Sequence, residues 1–229
     1  MSKVKIAGHA SGSGTLTIQA PDTSSSRTIT LPDATGTLLN SDGSAASLTA
    51  IPAANITGTL PAISGASLTG VGVKVAANWR QTGTTALATG TNYLTSQWEV
   101  IDTYGAGSIG SALTESSGIF TFPSTGIYFI TYSLYVTLEN DETGCKCAIA
   151  VTTDNGSYSN ATYGSVGLQR SSGTYELSST AQYLLDVTDT ANVKVKFGYE
   201  AEVAPADSVV NGSTNNNRTN FIVMRLGDT

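Results

Sequence analysis

Three carboxylates lie close together in the sequence, at Glu139, Asp141 and Glu142. Carboxylate oxygens are the ligands that hard cations such as Ca²⁺ prefer, so this segment is a candidate calcium site. The alternative is a polar loop in contact with water, which is the more common role of such a cluster. We therefore expect no cofactor and no metal, and keep calcium as the alternative.

Cys145 and Cys147 are the only cysteines of the chain. In an extended Cys-x-Cys segment both side chains point to the same face, and the strand geometry between them opposes a disulfide. A soft-metal site would need further ligands nearby, and the only histidine, His9, is far away in sequence. We expect two packed, reduced thiols, which suits assembly in a cytoplasm.

Groups suited to catalysis are sparse. A hydrolytic triad needs a base, and His9 has no serine and aspartate context that would make it one. Paired carboxylates cleave glycosidic bonds in many enzymes, but the acids here group in segments that the sequence predicts as turns: Glu139, Asp141, Glu142, Asp186 and Asp189. The sequence therefore predicts a protein that is not an enzyme, with a polysaccharide-degrading enzyme as the less favoured alternative.

Two segments are candidate contact surfaces for a host cell. The first, 211–220, is rich in asparagine, and its candidate contact residues are Asn211, Asn215, Asn216, Asn217 and Arg218. Asparagine and serine supply adaptable hydrogen bonds to sugars or to varied protein surfaces. The second, 158–163, carries Tyr158 and Tyr163, whose rings could stack on sugar faces. The alternative is that both are ordinary solvated loops.

The composition excludes several classes of function. Charged residues make up 12% of the chain and the formal net charge is −6, so no basic stripe is available for nucleic acid. No run approaches the roughly 18 apolar residues of a membrane span. The N-terminal lysines are not followed by an apolar core, so we expect no signal peptide and no membrane insertion.

The N-terminal segment 1–72 differs in kind from the rest of the chain, because it contains no Trp, Tyr, Phe or Cys. The tripeptide Gly-Thr-Leu begins at Gly14, Gly36 and Gly58, so it recurs at a constant spacing. Such repeats usually stack on neighbours, here on other copies of the chain, and a flexible linker is the alternative. We therefore expect an attachment region with β-hairpins at 1–45, an extended shaft or linker at 46–73, and a head at 74–229.

The head has the pattern of an all-β, antiparallel sandwich. Short alternating runs separated by turn residues predict strands near Val75–Gln81, Gln97–Asp102, Leu113–Phe122, Ile127–Leu138, Cys145–Thr152, Gly164–Arg170, Glu176–Asp186, Asn192–Glu200 and Asn220–Leu226. In the fourth run the even positions are all apolar and the odd positions are mixed. Phe129 and Tyr135 lie on the mixed face, so they are candidate contacts between subunits.

The segment 118–132, GIFTFPSTGIYFITY, resembles the central motif of the C1q/TNF-like globular head. The later segments 178–185, 193–197 and 220–226 follow the order of strands in that family. The resemblance covers about residues 75–229. It implies a jelly-roll sandwich that associates as a homotrimer about the axis of its subunits.

Two phrases in the segment 1–72 resemble another group of proteins. The segment 28–39, TITLPDATGTLL, and the segment 51–62, IPAANITGTLPA, followed by SLTGV at 67–71, are similar to phrases of tailed-phage virion and tail-fibre proteins. This resemblance implies a tail fibre, a capsid fibre or a decoration protein, assembled in the host cytoplasm. Residues 1–72 would attach it to other virion proteins, and the head would contact a host glycan or protein. The alternative is a cellular C1q-like adhesin.

Overall fold

The structure is a computed structural model that describes residues 72–139, 144–167, 173–202 and 207–229, together with 11–14, 24 and 26. The chain divides into two units, Met1–Ala62 and Ile63–Thr229, and the fold below belongs to the second. The expected attachment region at 1–45 and the expected shaft at 46–73 lie outside the described residues, apart from 11–14, 24, 26, 72 and 73.

Within the described residues the chain forms thirteen β-strands and no helix. In chain order they are β1 (Ala76–Gln81), β2 (Thr85–Ala86), β3 (Gly90–Tyr93), β4 (Trp98–Val100), β5 (Thr114–Ser116), β6 (Ile119–Thr121), β7 (Gly126–Glu139), β8 (Gly144–Thr152), β9 (Ser159–Gly167), β10 (Thr174–Val187), β11 (Lys194–Ala201), β12 (Val209–Val210) and β13 (Asn220–Gly227).

The strands form two antiparallel sheets. In the first sheet β10 pairs with β7 along its whole length, and β13 and β12 pair with the opposite edge of β7. Strand β1 lies beside β13, β4 lies beside β1, and β2 lies beside β12. The second sheet has the order β5–β6–β11–β8–β9, and β3 also pairs with β11. The all-β antiparallel sandwich expected from the sequence is confirmed.

Strand β7 shows the two faces that its sequence predicts. The even side chains from Tyr128 to Leu138 are fully buried, and the odd side chains from Ile127 to Glu139 are half-buried. Successive side chains of a strand point to opposite faces, so the even face lies in the core. The odd face belongs to the outer surface of the first sheet.

The core between the sheets has an aromatic centre. Phe221 on the first sheet and Phe197 on the second have ring centroids 4.0 Å apart, in a stacked arrangement. Phe120 meets Phe221 edge-on at 4.8 Å, and Trp79 and Trp98 close the cluster. Aromatic pairs in such geometries add to the burial of their own area, so this cluster holds the two sheets together.

The cysteine prediction is confirmed. Cys145 and Cys147 form no disulfide, and both are buried in the core on β8. Burial raises the pKa of the Cys147 thiol, because a thiolate is poorly solvated in an apolar interior. A protonated buried thiol packs as a small apolar side chain.

Some strand boundaries differ from the sequence-based expectation. The single strand expected at Leu113–Phe122 is wrong: Ser117 and Gly118 have φ angles of 52° and 75°, and they turn the chain into the hairpin of β5 and β6. The short strands β2, β3 and β12 were not expected. They are too short to show a period in the sequence.

Candidate functional site

A cleft of about 350 Å³ lies between two loops of the head. We call it the loop cleft. One wall comes from the segment after β4, and the other comes from the asparagine-rich loop between β12 and β13. Its lining residues are Ile101, Thr103, Tyr104, Gly105, Ala106, Asn215, Asn216 and Asn217. Three of the asparagines that the sequence proposes as contacts therefore lie together, and they share the cleft with an aromatic side chain.

Tyr104 is the most exposed large apolar side chain among the described residues, at 87%. Its backbone has φ of 55°, and that of Gly105 has 74°. The amide of Ala106 donates to the carbonyl of Thr103 over 3.1 Å and closes the turn. A left-handed conformation is unfavourable for tyrosine, so this turn holds the ring in solvent at an energetic cost.

The buried side chain of Arg80, at the end of β1, anchors the Tyr104 turn. Its Nε donates to Glu99 over 2.6 Å, its Nη1 to the hydroxyl of Thr103 over 2.8 Å, and its Nη2 to Asp102 over 3.2 Å. The planar guanidinium donates from three nitrogens to acceptors at separate positions, whereas a lysine ammonium donates from a single nitrogen. The turn is therefore held from beneath by charge-assisted hydrogen bonds.

The asparagine-rich loop is anchored at the neighbouring residue of β1. The amide of Ser213 donates to the carbonyl of Gln81 over 2.8 Å, and the amide of Gln81 donates to the carbonyl of Thr219 over 2.9 Å. The hydroxyl of Ser213 accepts from the amides of Asn215 and Asn216 at 3.1 and 3.2 Å. Both walls of the cleft are thus fixed to consecutive residues of one strand.

The other two residues proposed in this loop lie elsewhere. Asn211 is buried, and its side-chain amide donates to the hydroxyl of Thr137 over 2.8 Å. Arg218 is exposed, and its guanidinium carbon lies 5.8 Å from the ring centroid of Tyr135. Neither residue lines the loop cleft.

Tyr163 does not lie on a loop, because it belongs to β9, whereas Tyr158 lies in the loop directly before that strand. The strand expected at Gly164–Arg170 begins earlier, at Ser159, and 168–170 lie outside the described residues. The alternation of β9 is carried by polar and small residues, which concealed it. Tyr163 is 46% exposed, and its hydroxyl accepts from the amide of Asn160 over 2.7 Å. Tyr158 is half-buried under the ammonium of Lys196, 3.9 Å from its ring centroid.

The outer surface of the first sheet carries a row of apolar side chains. Residues that pair directly in an antiparallel sheet point to the same face, and the pairs Leu184–Phe129, Phe129–Met224 and Met224–Ala76 continue across four strands. Ile109 extends the row by a bridge to Ala76. We call these five residues the apolar row. Leu184 and Ile109 are 58% and 51% exposed, and the other three are half-buried.

Tyr135, the other proposed subunit contact, lies farther along the same surface. Its hydroxyl donates to Glu176 over 2.7 Å. This hydrogen bond, burial and the charge of Glu176 raise the pKa of Tyr135, and the charge of Arg218 opposes them. Tyr135 is thus engaged within its own subunit, whereas Phe129 has only apolar cross-strand neighbours.

The candidate cation site cannot be assembled from the described residues. Glu139 ends β7, and its amide donates to the hydroxyl of Ser208 over 2.9 Å. Asp141 and Glu142 lie outside the described residues, so the calcium site stays a prediction. In the described part of the chain no three His, Cys, Asp or Glu side chains group as metal ligands.

The acids proposed as turn residues are only partly where the sequence placed them. Asp189 caps a turn, with its carboxylate accepting from the amide of Ala191 over 2.8 Å. Asp186 lies inside β10 opposite Ile127, so its assignment to a turn is wrong. The strand continues to Val187 because that apolar residue is buried in the core. His9 lies outside the described residues.

Tyr104 is a candidate contact residue that reasoning from the sequence missed. The sequence does predict a turn at Gly105–Gly107, and a tyrosine directly before such a turn is a signal for an aromatic displayed on a loop. Within the described residues, no helix is long and apolar enough to cross a membrane.

No protein-family model matches the chain, and no curated protein sequence matches it. Solved structures, in contrast, are similar to the chain in fold. The structure of Eiger TNF from S. frugiperda superposes with a TM-score of 0.50 at 11% identity, over 68% of this chain and 94% of that one. Murine APRIL at pH 8.0 gives a TM-score of 0.46 at 12% identity, over 66% and 98%. The likeness to Eiger shows the fold, and the head of this chain is a TNF-like antiparallel jelly roll.

Proposed function

We propose that the chain is a non-enzymatic structural protein of a phage virion, a homotrimeric fibre whose head contacts the host surface. It is a tail fibre, or a capsid fibre or decoration protein, assembled in the host cytoplasm. Residues 1–72 attach it to other virion proteins. The apolar row is the observation that carries the trimeric part of this proposal.

The apolar row is suited to association with a second copy. Neighbouring strands lie about 4.8 Å apart, so the row extends over roughly 20 Å. Monomers rarely expose a contiguous apolar surface of this kind. The row runs across the sheet rather than along one strand, so it presents a rigid surface whose shape is set by backbone pairing. A symmetric assembly can cover such a row on every subunit.

The TNF-like fold supports the trimer as the form of that assembly. The C1q/TNF-like family, which the segment 118–132 resembles, associates through subunits arranged around a common axis. A threefold head suits a threefold shaft, and the evenly spaced Gly-Thr-Leu repeat that precedes the head in sequence is suited to stacking between copies. The virion assignment rests on the phrases at 28–39 and 51–62.

Two measurements test the proposal. Native mass spectrometry of the full chain should give a trimer, and a monomer would contradict the fibre. An antibody raised against the full chain should label particles at fixed positions in electron micrographs. If the chain is found with the cells and never with particles, the virion role is wrong and the cellular adhesin becomes the better account. Release of sugar from host envelopes by the full chain would contradict the non-enzymatic part.

A further inference from the structure

We propose that the loop cleft binds a neutral carbohydrate, with Tyr104 as the stacking surface and Asn215, Asn216 and Asn217 as hydrogen-bonding groups. This inference deepens the proposed function, because it rests on the head contacting a host surface. It adds a site, a residue that the sequence did not indicate, and the chemical class of the ligand.

The exposure of Tyr104 is the first argument. The ring is 87% exposed to solvent. An aromatic ring held in water loses the free energy that burial would give it, and the φ of 55° adds backbone strain. Tyr104 therefore carries both energetic costs, the exposure of its ring and the backbone strain, and it lines the cleft. A sugar face has apolar C–H groups that cover such a ring, as stacking ligands do on tyrosine.

The three asparagines supply the polar part of the site. Asn215, Asn216 and Asn217 are exposed, so their side-chain amides are accessible to a ligand. Their backbone groups, in contrast, are used to hold the loop. Each amide offers two donors and an acceptor, which matches pairs of neighbouring hydroxyls that both donate and accept.

The charge of the cleft favours a neutral ligand. None of the lining residues is ionisable near neutral pH. Arg80 is paired with Glu99 and Asp102, and Arg218, which follows Asn217, lies near the ring of Tyr135. The lining itself therefore offers no cation to an acidic sugar and no carboxylate to a cationic ligand.

The walls of the cleft are preorganised for binding. Arg80 holds the Tyr104 turn through Thr103, and the backbone of Gln81 holds the asparagine-rich loop through Ser213 and Thr219. Since both anchors are consecutive residues of β1, the distance between the walls is set by one strand. A site whose groups are already ordered loses less conformational entropy on binding.

The test uses the full chain and saturation-transfer NMR with methyl glycosides of glucose, galactose, mannose and N-acetylglucosamine, and with sialic acid as the acidic probe. We expect transfer to at least one neutral glycoside and none to sialic acid. Replacing Tyr104 by Ala should weaken that binding about tenfold, because stacking on the ring contributes roughly 1.4 kcal/mol to the free energy of binding. Tyr104→Phe keeps the ring and should retain binding, and Tyr175→Ala is the matched control on β10.

Several results would overturn the proposal. The site is wrong if no neutral glycoside binds, if sialic acid alone binds, or if Tyr104→Ala binds as the unmodified chain does. Loss of binding in Tyr163→Ala with Tyr104→Ala unaffected would move the site to the second sheet. Adsorption of the full chain to host cells, measured separately, distinguishes failure of the cleft proposal from failure of the proposed host contact. Adsorption that persists in Tyr104→Ala overturns the cleft alone. A chain that never adsorbs contradicts host contact itself.

Discussion

The guanidinium of Arg80 donates from Nη1 to the hydroxyl of Thr103 over 2.8 Å, and Thr103 directly precedes the exposed Tyr104. Arg80 is 1% exposed and makes two further charge-assisted contacts, to Glu99 and Asp102. A side chain inside the fold thus determines the position of a residue on its surface.

We expect Arg80→Lys to lower the free energy of unfolding by about 1–2 kcal/mol, because an ammonium cannot serve three separated acceptors. The turn should open more often, so hydrogen exchange at the amide of Ala106 should become faster. Lys146→Met is the control, since its ion pair with Glu200 lies at the partly exposed surface of the second sheet and should contribute little. An unchanged exchange rate at Ala106 in the Arg80 variant would show that the stability of the turn does not depend on Arg80.

The left-handed backbone at Tyr104 leads to a second expectation. Tyr104→Asn should raise the free energy of unfolding by about 0.5 kcal/mol, because asparagine tolerates this conformation better than tyrosine. Tyr104→Val should lower it, since a β-branched residue is least tolerated there. Urea unfolding of both variants gives the comparison. Equal stabilities would mean that the strain is relieved by movement of the turn.

The two buried tyrosines of β7 form a matched pair. The hydroxyl of Tyr132 is buried without a hydrogen-bond partner in the described structure, whereas that of Tyr128 donates to the carbonyl of Ser124 over 2.9 Å. We expect Tyr132→Phe to raise the free energy of unfolding by about 1 kcal/mol and Tyr128→Phe to lower it by a similar amount. Thermal unfolding checks both signs. Destabilisation by both changes would reveal a partner for Tyr132, such as a buried water.

The apolar row predicts the residues on which assembly depends. Phe129→Ser should weaken the proposed trimer by about 1.4 kcal/mol for each interface, which is about tenfold in the dissociation constant. Tyr135→Ser should also weaken assembly, but less, because the hydroxyl of Tyr135 is already bound to Glu176. Native mass spectrometry with dilution measures this, and Tyr163→Ser on the second sheet is the control. Trimers that stay intact in both Phe129 and Tyr135 variants would place the interface elsewhere.

The raised pKa of Cys147 gives a dependence on pH. The Cys147 thiol ionises at a lower pH in the unfolded chain than in the folded chain. As the pH rises, the unfolded state therefore loses this proton first. The contribution of Cys147 to the free energy of unfolding should therefore be constant below the ordinary thiol pKa of about 8.5 and fall above it. Urea unfolding at neutral and alkaline pH measures the slope, which should be smaller in Cys147→Ala. Rapid labelling of the native protein by a thiol reagent at neutral pH would contradict the burial.

Reasoning from the sequence was most successful where the signal is local. The alternation along β7 is visible within one uninterrupted segment, and the structure buries the same face that the alternation predicts. The loop cleft could not be predicted from the sequence, because it is formed by the turn at Tyr104 and by asparagines that come much later in the chain. The apolar row combines single residues from separate strands, and their alignment depends on the register of each pair, which no single segment specifies.

The place of β13 has a consequence for the order of folding. This strand is the last of the thirteen, yet it lies between β7 and β1, and β1 meets β7 only through it. Closure of the first sheet therefore depends on the pairing of β1 with a strand that is far from it in sequence. Pairings so distant in sequence form slowly. A chain interrupted before Asn220 would lack Met224 and could not display a complete apolar row, so we expect incomplete copies not to assemble.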